Sequence, residues 1–215
     1  MNFIFISPQF PKHYWNFCDR LKKNGVNVLG IGDSPYDALS DELKNALTEY
    51  YYLPHLDDYG EMVKAVGFFT FKYGKIDWIE SNNEFWLEQD ARLRTDFHVT
   101  TGEQYDHIDR IKNKSAMKAY YAKAGVPTAR LHKVTSFEAG RDFAHMVGYP
   151  VIVKPDNGVG ACDTYKLRSD DELAYFYATK PQDVPYVMEE FINGQIFSYD
   201  AILDSHSEPL FESTT

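Results

Sequence analysis

Residues 148–161 read GYPVIVKPDNGVGA and combine a short apolar run with a glycine-rich turn. Residues 151–153 are apolar, which is typical of a buried strand, and Lys154 stands at the end of that run. Such a lysine can simply extend its ammonium group to solvent. Gly158 and Gly160 follow it, however, and backbone N–H groups beside glycine can approach an anion closely. The stretch therefore favours a phosphate site with Lys154 as its point charge.

The better known phosphate-binding patterns are missing from the chain. The P-loop pattern G-x-x-x-x-G-K-[ST] does not occur, and neither does the dinucleotide pattern G-x-G-x-x-G. Gly30-Ile31-Gly32 is only a fragment of the latter. The stretch 148–161 is thus not a Walker A loop, and a dinucleotide-dependent dehydrogenase is disfavoured.

The chain before residue 96 alternates between strand-like and helix-like hydrophobic patterns. This alternation predicts a parallel sheet with helices on its faces. The predicted strands are 3–6, 26–31, 50–53 and 76–80. The first predicted helix passes through 15–21 and stops at Gly25, and the others include 41–48, 62–69 and 84–95.

After Gly102 the pattern becomes α+β. A helical stretch is expected to run to Ala124 and to be closed by Gly125. Two capping boxes predict helix starts: Thr135 with Glu138, and Ser169 with Glu172. The predicted strands are 130–134, 151–154, 165–168 and 186–190, followed by a hairpin of 196–203 and 208–211.

Composition limits the partners and the compartment. With 215 residues and a formal net charge of −10, the protein is not expected to bind nucleic acid, and any phosphate binding must be local. Cys18 and Cys162 are too few for a disulfide framework and lack metal-site spacing, which fits a reducing compartment. The N-terminus lacks the features of a signal peptide, and no apolar run approaches a membrane span. The protein is expected to be cytoplasmic.

Several separated motifs, in the same order, resemble those of the ATP-grasp ligases, in the branch of carbamoyl-phosphate synthetase, biotin carboxylase and amino-acid ligases. The similarity covers essentially the whole chain. The motifs are Ala91-Arg92-Leu93-Arg94 with Thr101-Gly102, Lys114-x-x-Met117-Lys118 with Ala124-Gly125-Val126-Pro127-Thr128, the strand 148–155, and Val187-Met188-Glu189-Glu190-Phe191-Ile192-x-Gly194.

The resemblance implies an α/β fold with two domains. Residues 1–102 would form an N-terminal doubly wound parallel-sheet domain, which is the pre-ATP-grasp domain of the family. Residues 103–215 would form the first part of an α+β ATP-grasp domain, truncated at Thr215. Within it, the first subdomain would span about 112–188 and the second would begin at about 189.

The resemblance also implies an ATP site and the role of its residues. Lys114 and Lys154 match the two lysines that contact the phosphates of ATP. Residues Asn157, Gly158, Val159, Gly160 and Ala161 match the loop that closes over the phosphates. Glu189, together with the backbone of Glu190, Phe191 and Ile192, matches the adenine hinge, the segment that reads the adenine ring.

The implied activity is ATP-dependent ligation of a carboxylate to an amine through an acyl phosphate, with Mg²⁺ as a cofactor. Small-molecule carboxylate and amine co-substrates are the expected partners, and a homo-oligomer is compatible with the sequence. The Mg²⁺ ligands are expected beyond Thr215, so no metal ligand is assigned within this chain and the fragment alone is expected to be inactive. The alternative is a nucleotide-binding regulatory or structural module without ligase chemistry.

Two segments leave questions open. Ile196 stands where many members carry a glutamate that holds the ribose, so ribose binding is expected to differ. Residues 80–84, ESNNE, follow a predicted strand at the position where open α/β sheets place ligands. A solvated loop with a helix cap explains the same residues.

Overall fold

The computed structural model describes residues 1–158 and 162–215, which divide into two compact units. Unit 1 comprises Met1–Pro127 and Asp156–Cys162, and unit 2 comprises Thr128–Pro155 and Asp163–Thr215. In the described part of the chain, no helix is both long and apolar enough to cross a membrane.

Unit 1 contains a four-stranded parallel sheet, as the alternating pattern predicts. Its spatial order is β3-β2-β1-β4, with β1 paired in parallel to both β2 and β4. The strands are β1 (Asn2–Ile6), β2 (Asn27–Gly32), β3 (Glu49–Tyr52) and β4 (Trp78–Glu80).

Helices cover both faces of this sheet because successive strand side chains point to opposite sides. In β1, Ile4 and Ile6 belong to one buried cluster, while Phe5 belongs to another. The helices that contribute to these clusters are α1 (Trp15–Lys23), α2 (Asp41–Ala46), α3 (Tyr59–Tyr73) and α4 (Leu87–Asp96), and they are followed in the chain by α5 (Asp109–Lys112) and α6 (Lys114–Lys123).

The helical stretch predicted to run to Ala124 is not continuous. Asn113 has φ −95° and ψ 121°, an extended conformation that separates α5 from α6. The far end agrees with the prediction, since α6 ends just before Gly125, whose φ is +70°. The break makes Lys114 the first residue of a new helix.

Unit 2 contains a four-stranded sheet of order β5-β8-β6-β7, in which every pairing is antiparallel. The predicted hairpin is present as a separate two-stranded sheet. The elements are β5 (Leu131–Lys133), α7 (Phe137–Val147), β6 (Val151–Pro155), β7 (Tyr165–Leu167), α8 (Asp170–Thr179), β8 (Tyr186–Glu190), β9 (Tyr199–Leu203) and β10 (Pro209–Thr214).

One of the two predicted helix caps is wrong by one residue. The Ser169 hydroxyl accepts from the N–H of Glu172 at 3.3 Å, as predicted. For α7, Ser136 and not Thr135 is the cap, because its hydroxyl accepts from the N–H of Ala139 at 3.2 Å. Either hydroxyl can cap a helix. Phe137 packs on the core of unit 2, so tertiary packing selects the starting residue.

Strand β6 alternates between the core and the opposite face of its sheet. Val151 and Val153 are fully buried in the cluster formed with α7 and α8. Ile152 and Lys154 therefore point to the other face. The lysine lies in the ladder itself, paired with Val187 of β8.

Candidate functional site

Lys154 forms an ion pair with Glu189 across the sheet of unit 2. Its Nζ lies 2.6 Å from Glu189 Oε2, and the two side chains are 26% and 11% exposed. The antiparallel register places Ile152 opposite Glu189, so Lys154 and Glu189 are diagonal neighbours on one face. The lysine assigned to phosphates and the carboxylate assigned to adenine thus touch each other.

The next residue, Glu190, is held by Arg130. Glu190 Oε1 accepts from the N–H of Arg130 at 2.8 Å, and Oε2 accepts from the Arg130 Nε at 2.7 Å. The N–H of Glu190 in turn donates to the carbonyl of Arg130 at 3.2 Å. The Glu190 N–H is therefore already hydrogen-bonded within the protein, and these bonds fix the start of the predicted adenine hinge.

The sheet ladder ends at Glu190, and the hinge continues outside it with two apolar residues. Phe191 is 38% exposed and Ile192 is 63% exposed. Lys166 Nζ lies 3.7 Å from the centroid of the Phe191 ring, a cation–π contact that restrains the ring. Apolar surface beside a buried carboxylate is suited to a flat heteroaromatic ring with an exocyclic amino group.

In unit 1, Lys114 lies at the start of α6 and reaches the segment that follows β6. Its Nζ donates to the carbonyl of Gly158 at 3.0 Å, and its backbone N–H donates to the carbonyl of Asp156 at 3.1 Å. The lysine assigned to phosphates thus contacts the root of the predicted phosphate loop.

Asp156 links the start of the predicted phosphate loop to α6. Its carboxylate accepts from the Ser115 N–H at 2.8 Å and from the Ser115 hydroxyl at 2.6 Å. The Asn113 side chain makes no capping hydrogen bond to α6. Asp156 instead accepts from the N–H of Ser115 in the first turn of this helix, although the two residues are 41 positions apart in sequence. The sequence did not predict the roles of Asp156 and Ser115, because the pairing of a carboxylate in a turn with a distant helix terminus depends on the fold.

The predicted phosphate loop is only partly described. Asn157 is exposed and Gly158 is half-buried. Val159, Gly160 and Ala161, which were also assigned to this loop, lie outside the described residues. Within unit 1 the structure brings Lys114 together with Gly158, and within unit 2 it brings Lys154 together with Glu189.

The residues that the structure describes contain no group of three or more His, Cys, Asp or Glu side chains placed to hold a metal ion. Lys114 and Lys154 can neutralise phosphate charge, and Glu189 can accept from an amino group. These side chains therefore offer the chemistry that a nucleotide site requires.

The fold is similar to part of the fold of solved ATP-grasp ligases. The biotin carboxylase domain of the 2-oxoglutarate carboxylase from Hydrogenobacter thermophilus, solved with MgADP, ADP and bicarbonate, superposes with a TM-score of 0.70 at 21% identity. The match covers 88% of this chain and 44% of that chain. The resemblance indicated by the sequence motifs is confirmed.

More narrowly, residues 109–196 match the family described as "Carbamoyl-phosphate synthase L chain, ATP binding domain". The L-arginine-specific L-amino acid ligase of Bacillus subtilis is 27% identical over 163 residues, which are 75% of this chain and 38% of that protein. The carbamoyl phosphate synthase large chain of Clostridium botulinum (strain Alaska E43) is 25% identical over 197 residues, 88% of this chain and 18% of that protein. The chain thus spans well under half of the length of these relatives.

Proposed function

We propose that this chain binds ATP through Lys114, Lys154, the loop of residues 157–161 and the adenine hinge of residues 189–192. The contact between Lys154 and Glu189 carries the proposal, because it lies within the segment that matches an ATP-binding domain and places a cation beside the carboxylate assigned to the adenine amino group. We also propose that the N-terminal domain ends at residue 102 and that the ATP-grasp domain begins at residue 103, a boundary that lies within unit 1.

Each group has a distinct task in this proposal. The ammonium groups of Lys114 and Lys154 offset triphosphate charge. The Glu189 carboxylate accepts from the adenine amino group, and the backbone of Glu190, Phe191 and Ile192 faces the ring edge. Since Lys154 already touches Glu189, the nucleotide must share or replace that contact when it binds.

The proposed reaction is ligation of a small carboxylate to an amine at the expense of ATP. The carboxylate attacks the γ-phosphorus, giving ADP and an acyl phosphate, and the amine then displaces inorganic phosphate. Phosphoryl transfer mainly requires positioning and charge neutralisation, which the two lysines supply. Mg²⁺ would add positive charge at the phosphates. It belongs to the proposal on the strength of the family alone, and no residue of this chain is assigned to it.

Calorimetric titration with ATP, ADP and GTP tests the nucleotide site. ATP is expected to bind more tightly than GTP, because the Glu189 carboxylate accepts from an amino group but repels the carbonyl of guanine. Lys114→Ala and Lys154→Ala should each weaken ATP binding, whereas Lys123→Ala, which removes an exposed lysine of the same helix as Lys114, should not. Equal affinity for GTP would contradict the hinge assignment.

Trapping with hydroxylamine separates ligation from mere binding. In the natural gene product, an acyl phosphate formed from ATP and a carboxylate would be captured as a hydroxamate. A panel of small carboxylates should yield hydroxamate and ADP with at least one member. Tight ATP binding without either product across the panel would favour the nucleotide-binding module.

A further inference from the structure

Unit 1 contains a pocket, here called the edge pocket, at the carboxyl ends of β1, β2 and β4. Its volume is about 620 Å³, within the usual range for small-molecule sites. Its polar lining includes Ser7 after β1, Asp33 after β2 and Asn83 after β4, and Lys12 also lines it. None of these residues belongs to the nucleotide site proposed above.

The position of the edge pocket follows from the sheet topology. Strand β1 lies between β2 and β4, so the chain leaves it toward one side and returns on the other. The loops after these strands must then diverge, which opens a crevice at the carboxyl edge of the sheet. Ser7 has a φ of +53°, a conformation unusual for a residue with a side chain.

Gln9 holds two of the polar groups in place. Its Nε2 donates to Asp33 Oδ1 at 2.6 Å and to the Ser7 hydroxyl oxygen at 3.2 Å. Because the Ser7 oxygen accepts from Gln9, its O–H can donate to a ligand. The second carboxylate oxygen of Asp33 can accept from a ligand. Gly32 makes this arrangement sterically possible, since a Cβ there would lie 2.4 Å from Gln9 Oε1.

Asn83 is held by a chain of hydrogen bonds that ends at the buried carboxyl group of Asp90. Its N–H donates to the Ser81 hydroxyl oxygen at 3.2 Å, and that hydroxyl donates to Asp90 Oδ2 at 2.6 Å. Asn83 Oδ1 accepts from the Phe85 N–H at 3.0 Å, which leaves the amide NH₂ group as a donor. This segment is also restrained by Lys112, a buried residue that donates to the carbonyl of Glu84 at 2.6 Å.

We propose that the edge pocket binds a free α-amino acid with an apolar side chain. The Asn83 amide, the Ser7 hydroxyl and the Lys12 ammonium are donors for a carboxylate, and Asp33 supplies a carboxylate for an ammonium group. The aromatic rings of Phe10, Phe85 and Trp86 complete the lining and suit an apolar side chain. Donors and one acidic acceptor in a single pocket match a zwitterion better than a plain acid or a plain amine.

The amino acid would be one of the two co-substrates of the ligation, and this role rests on the proposed function. The binding of the amino acid to the edge pocket does not rest on that function. The edge pocket lies wholly within unit 1, so an amino acid should bind without ATP, and loss of ATP binding in Lys154→Ala should leave it unchanged. Failure of the nucleotide site and failure of the edge pocket can therefore be told apart.

Calorimetric titration with three matched probes tests the edge pocket. L-phenylalanine carries both charged groups, 3-phenylpropionate lacks the amine and phenethylamine lacks the carboxylate. L-phenylalanine should bind at least about tenfold more tightly than either, since each lost partner is a charge-assisted hydrogen bond. L-leucine serves as a second amino acid with a smaller side chain.

Two isosteric substitutions assign the contacts. Asp33→Asn keeps an acceptor for Gln9 but removes the negative charge, and should weaken L-phenylalanine binding by about tenfold or more. Asn83→Asp keeps the acceptor for Phe85 but should repel the ligand carboxylate. Asp37→Asn, an exposed charge change in the same loop as Asp33, is the control.

The proposal is overturned if neither amino acid binds, or if 3-phenylpropionate and phenethylamine bind as tightly as L-phenylalanine. It is also overturned if L-phenylalanine binds equally well to the wild-type protein, Asp33→Asn and Asn83→Asp. Circular dichroism of each variant shows that a loss of binding does not come from unfolding.

Discussion

The carboxylate of Asp156 accepts both hydrogen bonds that Ser115 donates at the start of α6, one from the backbone N–H at 2.8 Å and one from the hydroxyl at 2.6 Å. Asp156 directly follows β6, the strand that carries Lys154, and it is thereby fixed to α6, which begins with Lys114. The root of the predicted phosphate loop is anchored, and its glycines begin two residues later.

Asp156→Ala should destabilise the protein by about 1–2 kcal/mol, because the first turn of α6 loses a capping carboxylate. Asp156→Asn, which keeps one acceptor for the Ser115 N–H, should lose less. Urea denaturation gives the stability change, and amide exchange at Ser115 locates it. Unchanged stability and unchanged exchange in Asp156→Ala would contradict the anchoring role.

Lys154 and Glu189 should be energetically coupled. Lys154→Met removes the cation beside a largely buried carboxylate and should cost about 1–3 kcal/mol, while Lys154→Met combined with Glu189→Gln should recover part of that loss. A double-mutant cycle by urea denaturation measures the coupling. Strictly additive effects of the two substitutions would show that the contact contributes nothing to folding.

Gly102 should tolerate alanine poorly. Its φ is +75°, and a Cβ would lie 2.3 Å from Nη1 of the buried Arg94. Gly125 is a matched control with φ +70° and no atom within 4 Å of a Cβ. Both alanine variants carry the backbone strain of about 1 kcal/mol, but only Gly102→Ala must also displace the Arg94 guanidinium. Thermal denaturation should show the larger loss for Gly102→Ala; equal losses would refute the clash.

Asp90 should make stability depend on pH. Burial raises the pKa of this carboxyl above its ordinary value, and the charge of Glu80 adds to the effect against the opposing hydrogen bonds of Ser81. The folded state therefore keeps a proton that the unfolded state releases above about pH 4. Stability should fall as pH rises from that point through the raised pKa.

Asp90→Asn resembles the protonated carboxyl and should flatten this pH dependence. Urea denaturation at acidic, neutral and alkaline pH measures the slope. Asp96→Asn is the control, since Asp96 is an exposed carboxylate that accepts from the Tyr59 hydroxyl at 2.6 Å. If Asp90→Asn and the wild type keep the same slope, Asp90 is not the group responsible.

Local sequence was sufficient to predict the elements whose signals are local. The alternating pattern of unit 1 predicted its four strands and the helices after them, and Gly25 and Gly125 ended α1 and α6 near the expected positions. Ser169 was correctly predicted as a cap. The Thr135 cap was wrong because two adjacent hydroxyls offered equivalent local chemistry, and the packing of Phe137 distinguished them.

The sequence by itself determined which residue types were available: a lysine at a strand end, two glycines behind it, and a Glu-Glu pair closing a later strand. Tertiary structure alone decided the partners. The antiparallel register of β6 and β8 brings Glu189 to Lys154, and the break at Asn113 exposes a helix terminus to Asp156. Local propensity acts over a few residues, whereas such contacts depend on strand register and chain reversal, which are set by burial of the whole core.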